Sequence, residues 1–476
     1  MPLLKKVGLL TAPLLFFIVV NLPNCLVSQT ADAVIAVALW MIMWWITEAV
    51  HIAVTALLPL ILFPLLGVMN ASDVGANYGS PIIFLFFGGF VLALALEKVN
   101  LHKRIALTII KFTGTTPNKV VLGFMIATAF LSMWISNTAS TVVMLPIAIS
   151  VISLLIKDTD GFTKGDKNFA LSVMLGIAFS ANAGGIATVI GTPPNSVLIG
   201  LLENEYHIEI SFLKWMTMGL PFSMLMITLC YLVLVKWMFP CKHIKFEASS
   251  HVISDELKKL GKLSIQERRV LTIFGVTISL WICRTLINQM VPTLKLSDTI
   301  ISLIGAMTLF AIPMNFKKGT FILNWNDTSK LAWGILLLFG GGLALAKGMA
   351  SSGLVGIITQ AIENGGYTPL IIITLLIILM LFMTELMSNV ALVAVLAPVV
   401  AGIAMGLNIP IINVLIPVTM ASSCAFMLPM ATPPNAIVFA SGYVKVKQMV
   451  KAGIILNLLA VVLLVLYYVF VIPYVF

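Results

Sequence analysis

The sequence predicts an all-α polytopic membrane protein, built from two inverted repeats whose helices are broken and unwound partway. Three observations predict it. Of 476 residues, 60% are hydrophobic and only 10% charged, and mean hydropathy is +1.09. Soluble domains carry about 25% charged residues, so this chain has too little charge to cover a surface in water. Apolar runs of the roughly 17–25 residues that lipid demands recur along it. Four short motifs also appear twice, in the same order.

The chain opens with Lys5 and Lys6 before an apolar stretch to Val20, then Asn21-Leu22-Pro23-Asn24-Cys25. No small-x-small cleavage pattern follows, so a first membrane helix with its lysines held inside is expected rather than a signal peptide. Long apolar runs follow at 31–50, 52–69, 212–239, 270–292, 297–314 and 453–475. Others are shorter or broken by Gly, Pro, Asn and Ser: 81–97, 120–135, 139–156, 170–190, 194–202, 331–346, 369–387, 391–407 and 411–440. Lipid does not satisfy a broken backbone, so such breaks imply protein or a wet cavity around them. Residues 240–269 mix charges of both signs, as Lys258, Lys259 and Lys262 beside Asp255 and Glu256. They read as a cytoplasmic linker between two halves.

The repeat is explicit. Phe87-Gly88-Gly89 recurs as Phe339-Gly340-Gly341, Ser136-Asn137 as Ser388-Asn389, and Leu145-Pro146 as Ala397-Pro398, all shifted by 252. Thr192-Pro193-Pro194-Asn195 recurs as Thr432-Pro433-Pro434-Asn435, shifted by 240. The flanking charges differ in sign between copies. The first copy has Lys98, Lys103, Arg104, Lys111 and Lys119 after its Gly-Gly helix, and Lys157, Lys164 and Lys167 after its Ser-Asn segment. The matching second-copy stretches hold only Lys347 and Glu363. After the Pro-Pro-Asn segment the first copy shows Glu203, Glu205 and Glu209, the second Lys445, Lys447 and Lys451. Basic loops stay inside, so the copies are expected to enter the membrane in opposite senses, with the N-terminus inside and the C-terminus outside. Inverted repeats with broken helices and a site near the midplane form a transporter architecture.

The candidate site joins Ser132, Ser136, Asn137, Thr138 and Gly191-Thr192-Pro193-Pro194-Asn195 to Thr384, Ser388, Asn389, Val390 and Ala431-Thr432-Pro433-Pro434-Asn435. Hydroxyls, amide oxygens and freed carbonyls suit a hard monovalent cation. Each Pro-Pro pair must unwind a helix, because proline lacks a donor and displaces an earlier carbonyl's bond. The exposed N–H groups and positive half-helix ends suit an anion. Small polar residues also glue membrane helices together, but duplication joined to duplicated helix breaks favours a binding site.

At these residues the chain resembles the divalent anion/sodium symporters, the sodium-coupled di- and tricarboxylate carriers. The likeness extends to Trp45-Ile46-Thr47-Glu48-Ala49 and Leu57-Leu58-Pro59. It implies re-entrant hairpins tipped by Ser-Asn-Thr, about 11 transmembrane helices, and a scaffold with an elevator transport domain, usually dimeric. It implies two sodium sites, one at Ser132, Ser136, Asn137 and Gly191, the other at Thr384, Ser388, Asn389 and Ala431. A C4-dicarboxylate such as succinate, malate or fumarate would lie against Asn137, Thr138, Asn389, Val390 and Pro433. The second motif departs from the family by reading Ser388-Asn389-Val390, which removes a hydroxyl and leaves the exact substrate open. The implied division is 1–80 as mainly scaffold and 81–211 as the first transport region. A helix at 212–239 ends the first half and 240–269 is the linker. Then come scaffold helices at 270–330, the second transport region at 331–452, and a last helix at 453–476.

Glu48 and Glu385 lie in apolar surroundings, where charge needs a partner. A Glu48–Arg284 pair is one expectation, and Glu385 is expected to shape the second hairpin or serve as a ligand. The histidines (His51, His102, His207, His243, His251) are scattered and expected to be solvated, and the five cysteines show no metal or disulfide spacing. No phosphate-binding Gly-rich loop appears, so ATP drive is unsupported. The net charge of +10 reads as basic loops facing anionic lipid of a plasma membrane, not as a nucleic-acid surface. The leading expectation is sodium symport; the alternative is a dicarboxylate exchanger without sodium coupling. A serine hydrolase is disfavoured because neither serine has a nearby histidine, and a passive channel is a minor alternative.

Overall fold

A computed structural model describes residues 3–21, 28–114, 116–156, 163–241, 249–315 and 319–476. Cys25, Lys157 and His243, and the His251 side chain, lie outside the described residues. The first half comprises α1 (Leu3–Asn21), α2 (Gln29–Thr47), α3 (Ile52–Thr55), α4 (Leu58–Leu65), α5 (Ala71–Tyr78), α6 (Pro81–Lys98), α7 (Leu101–Thr113), α8 (Pro117–Ser132), α9 (Asn137–Ile156), α10 (Lys164–Gly185), α11 (Pro193–Tyr206) and α12 (Phe212–Tyr231). The last runs on as a π-helix over Leu232–Met238. Then come α13 (Ser249–Leu260), α14 (Ile265–Met290), α15 (Asp298–Ala311), α16 (Trp333–Ser351), α17 (Leu354–Glu363), α18 (Pro369–Met383), α19 (Asn389–Gly406), α20 (Ile411–Ser422), α21 (Pro433–Ala440), α22 (Val446–Phe470) and α23 (Ile472–Val475). A two-stranded antiparallel ribbon, β1 (Pro313–Asn315) against β2 (Thr320–Phe321), interrupts the helices before α16.

The element order bears out the internal repeat. Shifts of 252 carry the starts of α6, α8 and α9 onto those of α16, α18 and α19, and a shift of 240 carries α11 onto α21. The two Gly-Gly helices meet, with the Phe86 and Phe339 rings edge-on at 5.0 Å. The halves also exchange partners: α11 packs on α19 and α21 packs on α9. The shift drops from 252 to 240 largely because α20 has 12 residues where α10 has 22.

Seven helices among the described residues are long and apolar enough to cross a membrane, and seven more apolar helices are shorter. The count of about eleven implied by the resemblance goes beyond these seven. Proline at the first turn starts α6, α8, α11, α18 and α21, where its missing N–H costs no helical bond. Helix α10 is buried from Phe169 to Gly185, so it lies at the centre of the molecule. The linker is strapped beneath α7: Arg104 Nε donates to Glu267 at 2.6 Å, Arg104 also reaches the Leu260 and Gly261 carbonyls, and Lys103 pairs with Glu256 at 2.9 Å.

Candidate functional site

Two hairpins, α8–α9 and α18–α19, bring their tips to one place. In the first, Ser132 ends α8 and Asn137 begins α9. Ser132 Oγ stands 2.5 Å from Asn137 Oδ1 and 2.7 Å from Ala181 O. In the second, Thr384 Oγ1 stands 2.6 Å from Asn389 Oδ1 and 2.7 Å from Ser422 O. The clusters match atom for atom across the repeat. Each hydroxyl has one proton for two acceptors, so each cluster is short of positive charge. The Asn137 oxygen also faces Ala181 O at 3.2 Å and Gly191 O at 3.3 Å. Either the amide turns its nitrogen inward, or these oxygens share a cation. The donor set fits sodium, a hard ion that takes neutral oxygens.

The helix breaks supply the carbonyls. Between α10 and α11, Asn195 Nδ2 lies 2.9 Å from Thr188 O and 3.3 Å from Gly185 O. Between α20 and α21, Asn435 Nδ2 lies 3.0 Å from Leu428 O and 3.1 Å from Ala425 O. These acceptors correspond under the shift of 240, so the motif's asparagine braces each unwound segment from within. The first segment is tight: a Cβ on Gly191 would stand 2.5 Å from Gly185 O. Alanine occupies both matching positions, Ala425 and Ala431, in the second.

A cavity of about 790 Å³ lies between the tips, lined by Ser136, Asn137, Thr138 and Gly191–Pro194 from one half and Ser388, Asn389, Val390 and Ala431–Pro434 from the other. Ser132 and Thr384 do not line it; both are fully buried behind their asparagines. Helices α9, α11, α19 and α21 all begin at this wall. Four positive N-terminal ends, each equivalent to roughly half a charge, therefore face it, which suits an anion. Thr138 and Val390 are matched positions of unequal chemistry. Lys5, Glu48, Glu97 and Lys330 also line the cavity.

Glu48 does not pair with Arg284. It follows the end of α2 in a left-handed conformation, φ 45°, with its side chain 71% exposed and Lys5 Nζ at 3.3 Å. Arg284 instead bonds Glu209 at 2.8 Å and Asp298 at 3.2 Å. Glu385, 3% exposed, accepts from the backbone N–H groups of Phe426, Met427 and Leu428, each at 2.9 Å, and from Asn457 Nδ2 at 2.8 Å. Its oxygens are taken up by the second unwound segment, so it shapes that segment rather than the cavity. His102 is buried rather than solvated, its Nδ1 3.0 Å from Leu96 O. Asn195 and Asn435 belong to the repeated motif that the sequence singled out, and they brace the helix breaks. Ala181, Ser422 and Asn457 were not singled out from sequence, and no repeated motif marks them.

The fold and site define a helical membrane transporter. A family model described as the sodium:sulfate symporter transmembrane region matches residues 4–474, and the chain belongs to this family. The sodium-dependent dicarboxylate transporter SdcS of Staphylococcus saprophyticus is 40% identical, covering 98% of this chain and 92% of that protein. Its namesake in Staphylococcus aureus strain USA300 is 39% identical, covering 98% and 91%. Among solved structures, the Alcanivorax borkumensis YdaH transporter superposes with TM-score 0.57 at 12% identity, covering 83% of this chain and 87% of that one. Neisseria gonorrhoeae MtrF gives 0.57 at 13%, covering 84% and 83%. These two speak for the fold alone.

Proposed function

We propose that this protein carries C4-dicarboxylates such as succinate, malate or fumarate, or related di- and tricarboxylates, across the plasma membrane by sodium symport. The observation that carries the reading is the pair of matched oxygen clusters flanking a cavity faced by four helix N-termini. The names of the two staphylococcal relatives agree with it.

One sodium ion binds at Ser132, Ser136, Asn137 and Gly191, and a second at Thr384, Ser388, Asn389 and Ala431. The substrate lies between them against Asn137, Thr138, Asn389, Val390 and Pro433. Each asparagine serves both ligands, its oxygen toward the cation and its nitrogen toward a carboxylate. The cations offset the substrate's charge, so neither binds well alone. The regions 81–211 and 331–452 move as an elevator against a scaffold formed by the remaining helices, through which two copies dimerise. With Lys5, Lys164 and the linker on the cytoplasmic side and Phe476 outside, the cavity opens toward the cytoplasm.

Succinate uptake into empty proteoliposomes, with and without an inward sodium gradient, tests this reading. Accumulation with sodium and none with choline is expected. Equal uptake in both would overturn sodium coupling. The exchanger alternative draws on Val390, which gives the cavity an apolar wall where Thr138 stands opposite. It predicts uptake only into vesicles preloaded with a dicarboxylate.

A further inference from the structure

We infer that Asn182 couples the two cation clusters, so that filling the first raises the affinity of the second. The inference rests on the proposed sodium coupling and names the residue through which the two sites communicate.

Asn182 sits on α10, 1% exposed, directly after Ala181. The Ala181 carbonyl belongs to the first cluster, 2.7 Å from Ser132 Oγ. The Asn182 side chain points the other way, into the second repeat. Its Nδ2 lies 3.0 Å from Ala425 O, 3.1 Å from Thr432 Oγ1 and 3.3 Å from Asn435 Oδ1. Those acceptors stand at both ends of the second unwound segment, which carries Ala431. Asn435 in turn donates to Ala425 O and Leu428 O. One amide therefore ties the start of that segment to its end and both to α10. The Phe179 and Phe426 rings meet edge-on at 5.2 Å across the same interface.

The tie runs one way. The residues matching Asn182 under shifts of 240 and 241 are Ser422 and Ser423. Ser422 Oγ turns back to Thr419 O at 2.7 Å. Among the described residues, no side-chain hydrogen bond from the second repeat reaches the first segment. Asn195, Ser196 and Trp215, all of the first half, serve its carbonyls.

The physical consequence is linkage. A cation at the first cluster fixes Ser132, whose hydroxyl donates to the Ala181 carbonyl, and so fixes the adjacent Asn182. A fixed Asn182 holds the second segment in its bound shape, which lowers the ordering cost of the second ion. Linkage makes the effect reciprocal, with couplings commonly of about 5–150-fold in affinity.

The test is sodium activation of succinate uptake by wild type, Asn182→Ala and Asn182→Asp in proteoliposomes. Wild type should be sigmoidal, with a Hill coefficient approaching about 2 for two coupled sites. Both variants should fall to about 1, with half-saturating sodium raised about tenfold. Their succinate KM at saturating sodium should stay within about twofold, because Asn182 does not line the cavity. Folded variants that keep the wild-type Hill coefficient overturn the coupling and leave the transport reading intact. Wild type without sodium activation overturns both.

A second measurement leaves Asn182 in place, should its variants not fold. In Thr384→Ala protein, which lacks the second cluster's hydroxyl, sodium should still slow amide hydrogen exchange over residues 424–432 several-fold. Exchange there that ignores sodium overturns the inference.

Discussion

Replacing Glu385 by glutamine should loosen one unwound segment and spare its twin. The carboxylate accepts four hydrogen bonds, three from consecutive backbone N–H groups, in a place 3% exposed to solvent. Glutamine keeps one acceptor oxygen and turns an NH2 group toward the remaining donors. Bonds to a charged group contribute about 1.5–3 kcal/mol and neutral ones about 0.5–1.5. With its oxygen at the Oε1 position, three bonds are weakened and the Leu428 N–H is left unsatisfied, at about 1–3 kcal/mol, which sums to roughly 4–7 kcal/mol against local order. At 1.4 kcal/mol per tenfold, amides over 424–432 should exchange at least about 100-fold faster by mass spectrometry. The matched residues 184–192 are braced by Asn195, with no carboxylate hydrogen-bonded to them among the described residues, so their exchange should stay within about threefold. Unchanged exchange at 424–432 would refute the view that Glu385 holds that segment. So would equal acceleration in both segments, which would mean general unfolding.

Asn137→Ala and Asn389→Ala should each abolish succinate uptake while the protein still elutes as a folded species, since in the proposed site each amide serves both cation and carboxylate; near-normal uptake by both would remove the site. Val390→Thr should lower the KM of a dicarboxylate by up to about tenfold, because the restored hydroxyl gains a partner only when substrate is bound. An unchanged KM for succinate, malate and citrate would mean that Val390 does not meet substrate. For orientation, single cysteines at Lys164, Glu205 and Lys258 in a cysteine-free background should be probed with an impermeant thiol reagent on intact cells. Only position 205 should label, following the retention of basic loops, and external labelling at 164 would break the inverted assignment.

The repeated motifs made much of the site legible, because a helix break in lipid leaves a local mark: Pro-Pro where no donor is available, Ser-Asn where a hairpin turns. Ser132 and Thr384 could be placed with their asparagines since both lie five residues away, on the arms of one tip. The charged residues were not legible in the same way. Arg284 and Glu48 each meet a partner, but Arg284 meets Asp298 on the following helix and Glu48 meets Lys5, forty-three residues back. Charge in an apolar run announces that a partner exists without naming it. Asn182 was invisible for a further reason: its acceptors lie 243 to 253 residues away in the other repeat, and its matched position holds serine, so no duplication marks it.

The four helix N-termini that face the cavity have a consequence for acidity. Backbone dipoles do not titrate, and no histidine lines this wall. The attraction that these four ends supply is therefore the same at every pH, and the pH dependence it leaves comes from the ligand itself. As a dicarboxylic acid is acidified, the fraction carrying both charges falls, and apparent affinity should fall in proportion to it. Citrate and succinate, which lose their last protons at different pH, should then give different pH profiles on one protein. The profile would be a fingerprint of the ionic form that the cavity accepts.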